Sequence, residues 1–466
     1  MCTVNYNELH ISFNYKNAKL GSKNRPNSEV VQKFDFLSKI CIICVNVFKK
    51  VEFFMKNENI EEIRKIFIET LEKYEGEPIL FDIPSEILRE IVTPTYANTG
   101  VRYIPQNIRP HLKKIDFSNI SFGNVMVSDF DFTGLKNVKI NPQTVWAKDL
   151  HYTVLNGVTI TGPFNDVDVR SADFTGAKSI DGGMIKINPQ TIRDKSVTCS
   201  KLSGVEFIGN FNNVYVGGAD FTGSKGAIIN PSKLEHKTLL KTKLTDTIIY
   251  GSFRKVVLEE TDFTGAKSID GGMIKINPQH IFVKRLVDCN FNGVEFTGSF
   301  KNTVIVASNF EGSKGAIINP QEIKYKRLNE CNFANVIFDG CFDGVQIYLS
   351  SFMGSVGAVI NPQTIKDKDL TRCNFFDVVF NGSFDGANII ESKFLGSTNA
   401  VINPQQVHNK CLLAADLRDA IVVDDFDDVV MYGTIIDESL LIDKDEVSEE
   451  KEKEYCITKI RSVLSK

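Results

Sequence analysis

The sequence predicts a mostly β fold: a four-sided β-helix, or solenoid, of about 15 coils, with a helical domain before it and a capping helix after it. Three observations predict it. Phe174, Phe221, Phe263, Phe310, Phe352 and Phe394 recur at intervals of 47, 42, 47, 42 and 42 residues. Inside that beat runs a finer one of five, clearest in Ile318, Ile323, Leu328, Phe333, Phe338, Phe342, Ile347 and Phe352, with one four-residue step. The chain then passes Gly354 and Gly357 and restarts in phase at Ile360, and the register holds from Ile140 to Ile436.

A period of five fits neither the 3.6 of an amphipathic helix nor the two of a flat strand. It requires a backbone that turns a corner every five residues. Four sides close one coil, so each eight-sided unit is two coils, and stacking at about 4.8 Å gives a rod on the order of 70 Å long. Stacked in register, Leu155, Phe174, Leu202, Phe221, Leu244, Phe263, Phe291, Phe310, Phe333, Phe352, Phe375, Phe394 and Leu417 form one aromatic-rich face. The face one side back is aliphatic: Leu150, Val169, Val197, Val216, Leu239, Leu258, Leu286, Ile305, Leu328, Ile347, Leu370 and Ile389. Roughly sixty inward side chains at about 1.5–3 kcal/mol each, before entropy, let such a rod fold without a ligand.

Ala172-Asp173-Phe174-Thr175-Gly176, Ala219-Asp220-Phe221-Thr222-Gly223, Cys331-Asn332-Phe333 and Ala415-Asp416-Leu417 follow one pattern: a small residue, Asp or Asn, then Phe or Leu, then small or polar residues. In this the chain resembles the pentapeptide-repeat family over about residues 107 to 440. The resemblance implies a right-handed quadrilateral β-helix, and a shape rather than an activity. Many sides depart from it with a central Ile or Val, and the recurrent Ile-Asn-Pro-Gln element lies outside the family's general pattern.

With 34 Phe, one Trp and 42% hydrophobic residues, the core is Phe-rich. Cys289, Cys331 and Cys373 each stand two residues before an inward Phe, where Ser200 and Thr242 stand in earlier units, so they read as reduced, small fillers. Coils two apart hold their sulfurs about 10 Å from each other, too far to bond. Cys41 and Cys44 form a single CxxC without a second pair, which disfavours zinc. Reduced thiols and the lack of a signal peptide or long apolar run point to the cytoplasm; secretion without a cleaved signal leaves no mark in such a sequence.

The charge is uneven. Residues 411–466 carry 15 acidic and 7 basic side chains, whereas residues 111–410 carry 29 and 32. Some pentapeptide-repeat rods mimic DNA and occupy the DNA site of gyrase, which requires a densely negative surface. A near-neutral rod disfavours both that alternative, a DNA-mimic inhibitor or protector of a topoisomerase, and nucleic-acid binding along a basic stripe.

Every unit opens a Gly-containing loop at the same corner, and two of these loops, Thr175 to Lys186 and Thr264 to Lys275, are five residues longer than the rest. The eighteen residues Asp173 to Gln190 recur unchanged as Asp262 to Gln279. Asp181-Gly182-Gly183 and Asp270-Gly271-Gly272 are turn-formers, so the additions read as hairpins whose tips would expose Ile180, Met184, Ile269 and Met273; the plainer expectation is that these side chains fold back on the rod. With Lys178, Asp181, Lys186, Lys267, Asp270 and Lys275 these are the candidate contacts for an unknown partner protein. Lys136, Lys178, Lys225, Lys267 and Lys314 make a lysine row at the same loop position, which lapses at Val356 and Thr398.

Chemistry is faint by comparison. Asp131, Asp173, Asp220, Asp262 and Asp416 repeat at a turn position and read as hydrogen-bond acceptors rather than an acid–base pair. The six histidines lack ligand spacing, and no Walker loop, GxSxG or HExxH occurs. No catalytic residue, metal or cofactor is expected, and no enzyme activity.

Residues 1–106 lack the five-beat. Asn59 to Gly76 has the caps and spacing of a helix, and a second helix is expected from Pro84 to Ile91. The segment Ile83 to Ile91 looks like the first helix of an F-box, which would imply a ubiquitin-ligase adaptor; a helical cap over the open first coil is the plainer expectation. Bacterial effector E3 ligases resembling this family carry a large catalytic lobe, for which the thirty residues after Ile436 are too few. In 441–466 an acidic linker precedes a helix whose narrow apolar face holds Ile457, Ile460, Val463 and Leu464, suited to capping the last coil or pairing as a homodimer. Together these features lead to the expectation of a non-enzymatic interaction or scaffold rod.

Overall fold

The computed structural model describes residues 2–4, 11–13, 60–73, 85–95 and 99–443. Stacked parallel strands form a β-solenoid of about 15 turns. The chain divides into two compact units, one of residues 1–194 and 203–206, the other of 195–202 and 207–466.

In the first unit a short antiparallel pair joins Cys2–Val4 to Ile11–Phe13. Two helices follow, α1 (Ile60–Lys73), within the segment whose spacing predicts it, and α2 (Ser85–Val92), which ends one residue past the expected Pro84 to Ile91. Phe67 and Leu71 of α1 and Leu88, Ile91 and Val92 of α2 are buried. The end of α2 is satisfied by side chains: Arg64 donates to Ile91 O at 3.0 Å and Glu90 O at 2.9 Å, and Thr93 to Arg89 O at 2.9 Å. Arg89 donates to Gly123 O, and Lys114 Nζ to Leu71 O at 2.6 Å, tying both helices to the first coils. The coils then stack in parallel, as in Lys139–Ile140 on Thr159–Ile160 on Lys178–Ser179.

The second unit repeats the same construction with strands of two to four residues, such as Ile317–Ile318 on Ile337–Phe338 and Val359–Ile360 on Val379–Phe380. Strands stay short because each corner consumes the rest of the side. At a corner the carbonyl of the inward residue accepts from the amide three residues on, as in Val336 N–H to Phe333 O at 3.0 Å. The amide of the inward residue bonds the next coil: Phe333 to Ser351 O at 2.8 Å, Phe352 to Asn374 O at 2.8 Å, and Phe375 to Lys393 O at 2.9 Å.

Every member of the two expected inward faces is buried. Along the aromatic face of the second unit, ring centroids from Phe263 through Phe291, Phe310, Phe333, Phe352 and Phe375 to Phe394 alternate between about 6 and 5 Å, at 6.1, 5.2, 6.0, 5.3, 6.1 and 5.2 Å. Phe338 and Phe342 add T-shaped and tilted contacts to the same stack.

The Ile-Asn-Pro-Gln element is a clamp between coils. Asn319 Oδ1 accepts from the Gln321 amide at 3.0 Å, and Gln321 Nε2 donates to Cys341 O at 3.1 Å and Asp343 O at 2.8 Å on the next coil. Gln143, Gln279, Gln363 and Gln405 make the same pair of bonds. The restart after Phe352 needs Gly357, at φ +76, because a Cβ there would sit 2.7 Å from Phe338 O.

Truncating Phe333 to Ala is expected to cost about 3–5 kcal/mol in urea denaturation, whereas Tyr432→Ala, at a site 86% exposed, stays within about 0.5 kcal/mol. Equal effects at the two sites would contradict the stacked core.

Candidate interaction surface

The two long loops adopt one structure. Ser179 N–H donates to Gly183 O at 3.0 Å and Gly182 N–H to Ser179 O at 2.9 Å; the second copy repeats this with Ser268, Gly272 and Gly271 at 2.9 and 2.8 Å. Asp181 Oδ1 accepts from Gly183 N–H at 2.9 Å, and Asp270 Oδ1 from Gly272 N–H at 3.0 Å. Those amide bonds hold both carboxyls below the usual carboxylate range. The expected hairpins are therefore tight turns. Their flanks pair with neighbouring coils and not with each other: Lys267–Ser268 lies on Ile248–Ile249, and Ile274–Ile276 on Val294–Phe296.

Ile180 and Ile269 stand at the tips, 70% and 65% exposed. Met184 and Met273, expected at the tips as well, are half-buried, since each directly precedes a strand whose first residue, Ile185 or Ile274, points inward. Lys178, Asp181, Lys186, Lys267, Asp270 and Lys275 are exposed, and Lys275 lies 3.9 Å from Glu295. The other lysines of the row, Lys136, Lys225 and Lys314, are exposed too. Ile457, Ile460, Val463 and Leu464, like Cys41 and Cys44, lie outside the described residues.

The Asp column serves the backbone. Asp131, Asp173, Asp220 and Asp262 each accept from the amide two residues on, at 2.8 to 3.0 Å. Asp416 also receives Arg418, whose hydrogen bonds hold its carboxyl below the ordinary range. Cys289, Cys331 and Cys373 are free and buried, but they are more than fillers. Their thiols lie against main-chain carbonyls, Cys373 Sγ 2.9 Å from Ile347 O, and on the coil after each, Ser308, Ser350 and Ser392 donate to Leu286 O, Leu328 O and Leu370 O at 3.1, 2.6 and 2.5 Å. Burial pushes the three thiols up to about 12. Among the described residues no three His, Cys, Asp or Glu side chains are placed to hold a metal ion, and no helix is long and apolar enough to cross a membrane.

A second protruding feature escapes the five-beat. After each Ile-Asn-Pro-Gln region (Asn-Pro-Ser in one unit) the chain makes a turn in which two successive residues have left-handed backbone: Ala147-Lys148, Asp194-Lys195, His236-Lys237, Val283-Lys284, Tyr325-Lys326, Asp367-Lys368 and Asn409-Lys410. The second is always lysine. Lys284, Lys326 and Lys368 donate to the Oε1 of Gln279, Gln321 and Gln363 at 2.7, 2.6 and 2.6 Å, completing each clamp. These lysines recur at the same 47- and 42-residue intervals as the phenylalanines, a signal present in the sequence.

No family model matches this chain, and no curated protein sequence matches it either.

At pH 8 the Cys289, Cys331 and Cys373 thiols are expected to stay protonated and closed to Ellman's reagent in the native protein, while exposed Cys199 and Cys341 react. An unfolded thiol titrates near about 8.5, so between there and the folded value the unfolded state has released protons that the folded state keeps, and stability falls as pH rises. Native labelling of Cys331 would contradict this.

Proposed function

We propose that this chain is a non-enzymatic protein-interaction scaffold of the pentapeptide-repeat kind, working in the cytoplasm, with the Ser179–Gly183 and Ser268–Gly272 turns as its contact points for a partner protein. One observation carries this: two copies of an identical eighteen-residue segment each hold an isoleucine in water at the tip of a turn. Folding gains nothing from such a side chain, since the turn is made by the aspartate and glycines beside it. An apolar tip of this kind suits a partner that buries it.

The turns also suit the task mechanically. Each is anchored at both ends by strands of the solenoid, so its tip is held without help from its own side chains, and little ordering is left to be done on binding. The exposed lysines Lys178, Lys186 and Lys267 around the tips favour a partner whose rim is acidic.

Burying an isoleucine contributes about 1.5–3 kcal/mol, so Ile180→Ser with Ile269→Ser is expected to weaken partner binding by a hundredfold or more if both tips engage. The partner is first identified by photo-crosslinking from position 180 and from position 269, and affinities are then measured on the purified pair. Unchanged affinity in the double variant, with an unchanged melting temperature, would refute the proposal.

A further inference from the structure

Two neighbouring lysine turns break the rule that the others follow. The left-handed backbone at the first turn position suits Asp, Asn, His or a small residue, and Asp194, Asp367, Asn409, His236 and Ala147 supply these. Val283 adopts it at φ 45 and Tyr325 at φ 62, although a β-branched or bulky side chain is poorly tolerated there. Neither gains burial in return: Val283 is 53% exposed, Tyr325 65%, and Phe282 beside Val283 50%. Local strain kept without a packing reward is a mark of function.

The two turns lie on one ridge of the second unit. Lys255 N–H donates to His280 O at 2.7 Å, Phe282 N–H to Val256 O at 2.9 Å, Asn302 N–H to Glu322 O at 2.7 Å, and Lys324 N–H to Thr303 O at 2.9 Å. Arg285–Val287 pairs with Val304–Val306 between them, so four coils stack in sequence and the apolar tips stand about 10 Å apart. The segments 252–257, 279–285, 299–304 and 321–327 that form the ridge carry eight Lys and Arg and a single carboxylate, Glu322. Lys301 already holds that carboxylate at 3.3 Å, and Arg285 is engaged by Glu259 at 2.5 Å. Lys284 and Lys326 are held by Gln279 and Gln321, and Arg254, Lys255, Lys324 and Arg327 are exposed, Lys324 Nζ lying 5.0 Å from the centre of the Tyr325 ring.

We propose that this ridge is a docking surface for an acidic peptide segment of a partner protein, with an apolar side chain of the peptide packing against Phe282, Val283 and Tyr325 and its carboxylates facing Arg254, Lys255 and Lys324. Opposite charge supplies attraction and register, and the apolar tips supply the buried anchor. The surface is separate from the Ile180 and Ile269 turns, so it stands or falls without them.

The test measures fluorescence anisotropy of labelled twelve-residue peptides of Asp and Glu with one central Leu, Phe or Trp against the full chain. The same peptides with Ser at the centre, and a twelve-nucleotide oligouridine, serve as comparison probes. The apolar-centred peptides are expected to bind at least tenfold more tightly than the Ser-centred ones, and to weaken steeply with added salt. Val283→Asn with Tyr325→Asn relieves the left-handed backbone, so it is expected to keep or raise the melting temperature while reducing peptide affinity at least tenfold. Equal binding of apolar-centred and Ser-centred peptides would overturn the proposal, as would a double variant that binds normally. So would a lowered melting temperature in that variant, which would make the tips fold residues, or tighter binding of the RNA strand than of any peptide.

Discussion

Within each unit coil is held to coil by parallel backbone pairing, and along the aromatic face a recurrent bond of that pairing is the amide of the inward residue. In the second unit Phe333, Phe352, Phe375 and Phe394 each send that amide to the following coil at 2.7 to 2.9 Å, and the first three each turn their ring onto the next ring of the stack. The two contacts enforce each other. Backbone pairing sets the spacing at which rings can touch, and ring contact fixes the register in which backbones can pair. A slip by one residue would carry every inward side chain of a side toward water, which is why the phase is held from Ile140 to Ile436.

That dependence explains what a linear sequence reveals. The inward faces were legible because stacking demands the same residue class at every return, and Leu150 to Ile389 on one face and Leu155 to Leu417 on the other are buried as their spacing predicts. The aspartates were legible because a carboxylate one residue before the corner has an amide to accept. Partners on the next coil were not. Gln321 reaches carbonyls 20 and 22 residues further on, and nothing beside it in the chain names them. Asp-Gly-Gly announces a turn but not how soon a strand resumes after it, so the sequence did not separate exposed Ile180 and Ile269 from half-buried Met184 and Met273. The left-handed turns were missed because Val283 and Tyr325 are residues that argue against that backbone, although the lysine after each kept the beat.

The surface and the core are under different demands. Inside, one side chain serves many coils and variation is narrow: Cys289, Cys331 and Cys373 alternate with serines that face carbonyls from equivalent positions. At the outer corners the frame repeats while the tips differ, from Asp194 and Asp367 to Val283 and Tyr325. A solenoid whose frame is secured by stacking can tolerate exposed or strained tips, and the Ile180, Ile269 and Val283 sites are where it does so. The proposed roles in partner binding rest on this separation between a self-sufficient frame and tips the frame does not need.

The central claim, that coil-to-coil amides at inward residues hold the fold, is most directly tested by native-state hydrogen exchange resolved to single amides. The account predicts strong protection at Phe333, Phe352, Phe375 and Phe394, with rapid exchange at turn-tip amides such as Tyr325 and Asp367. Rapid exchange at the four inward phenylalanines, or uniform protection running through the corners as in an α-helix, would contradict it.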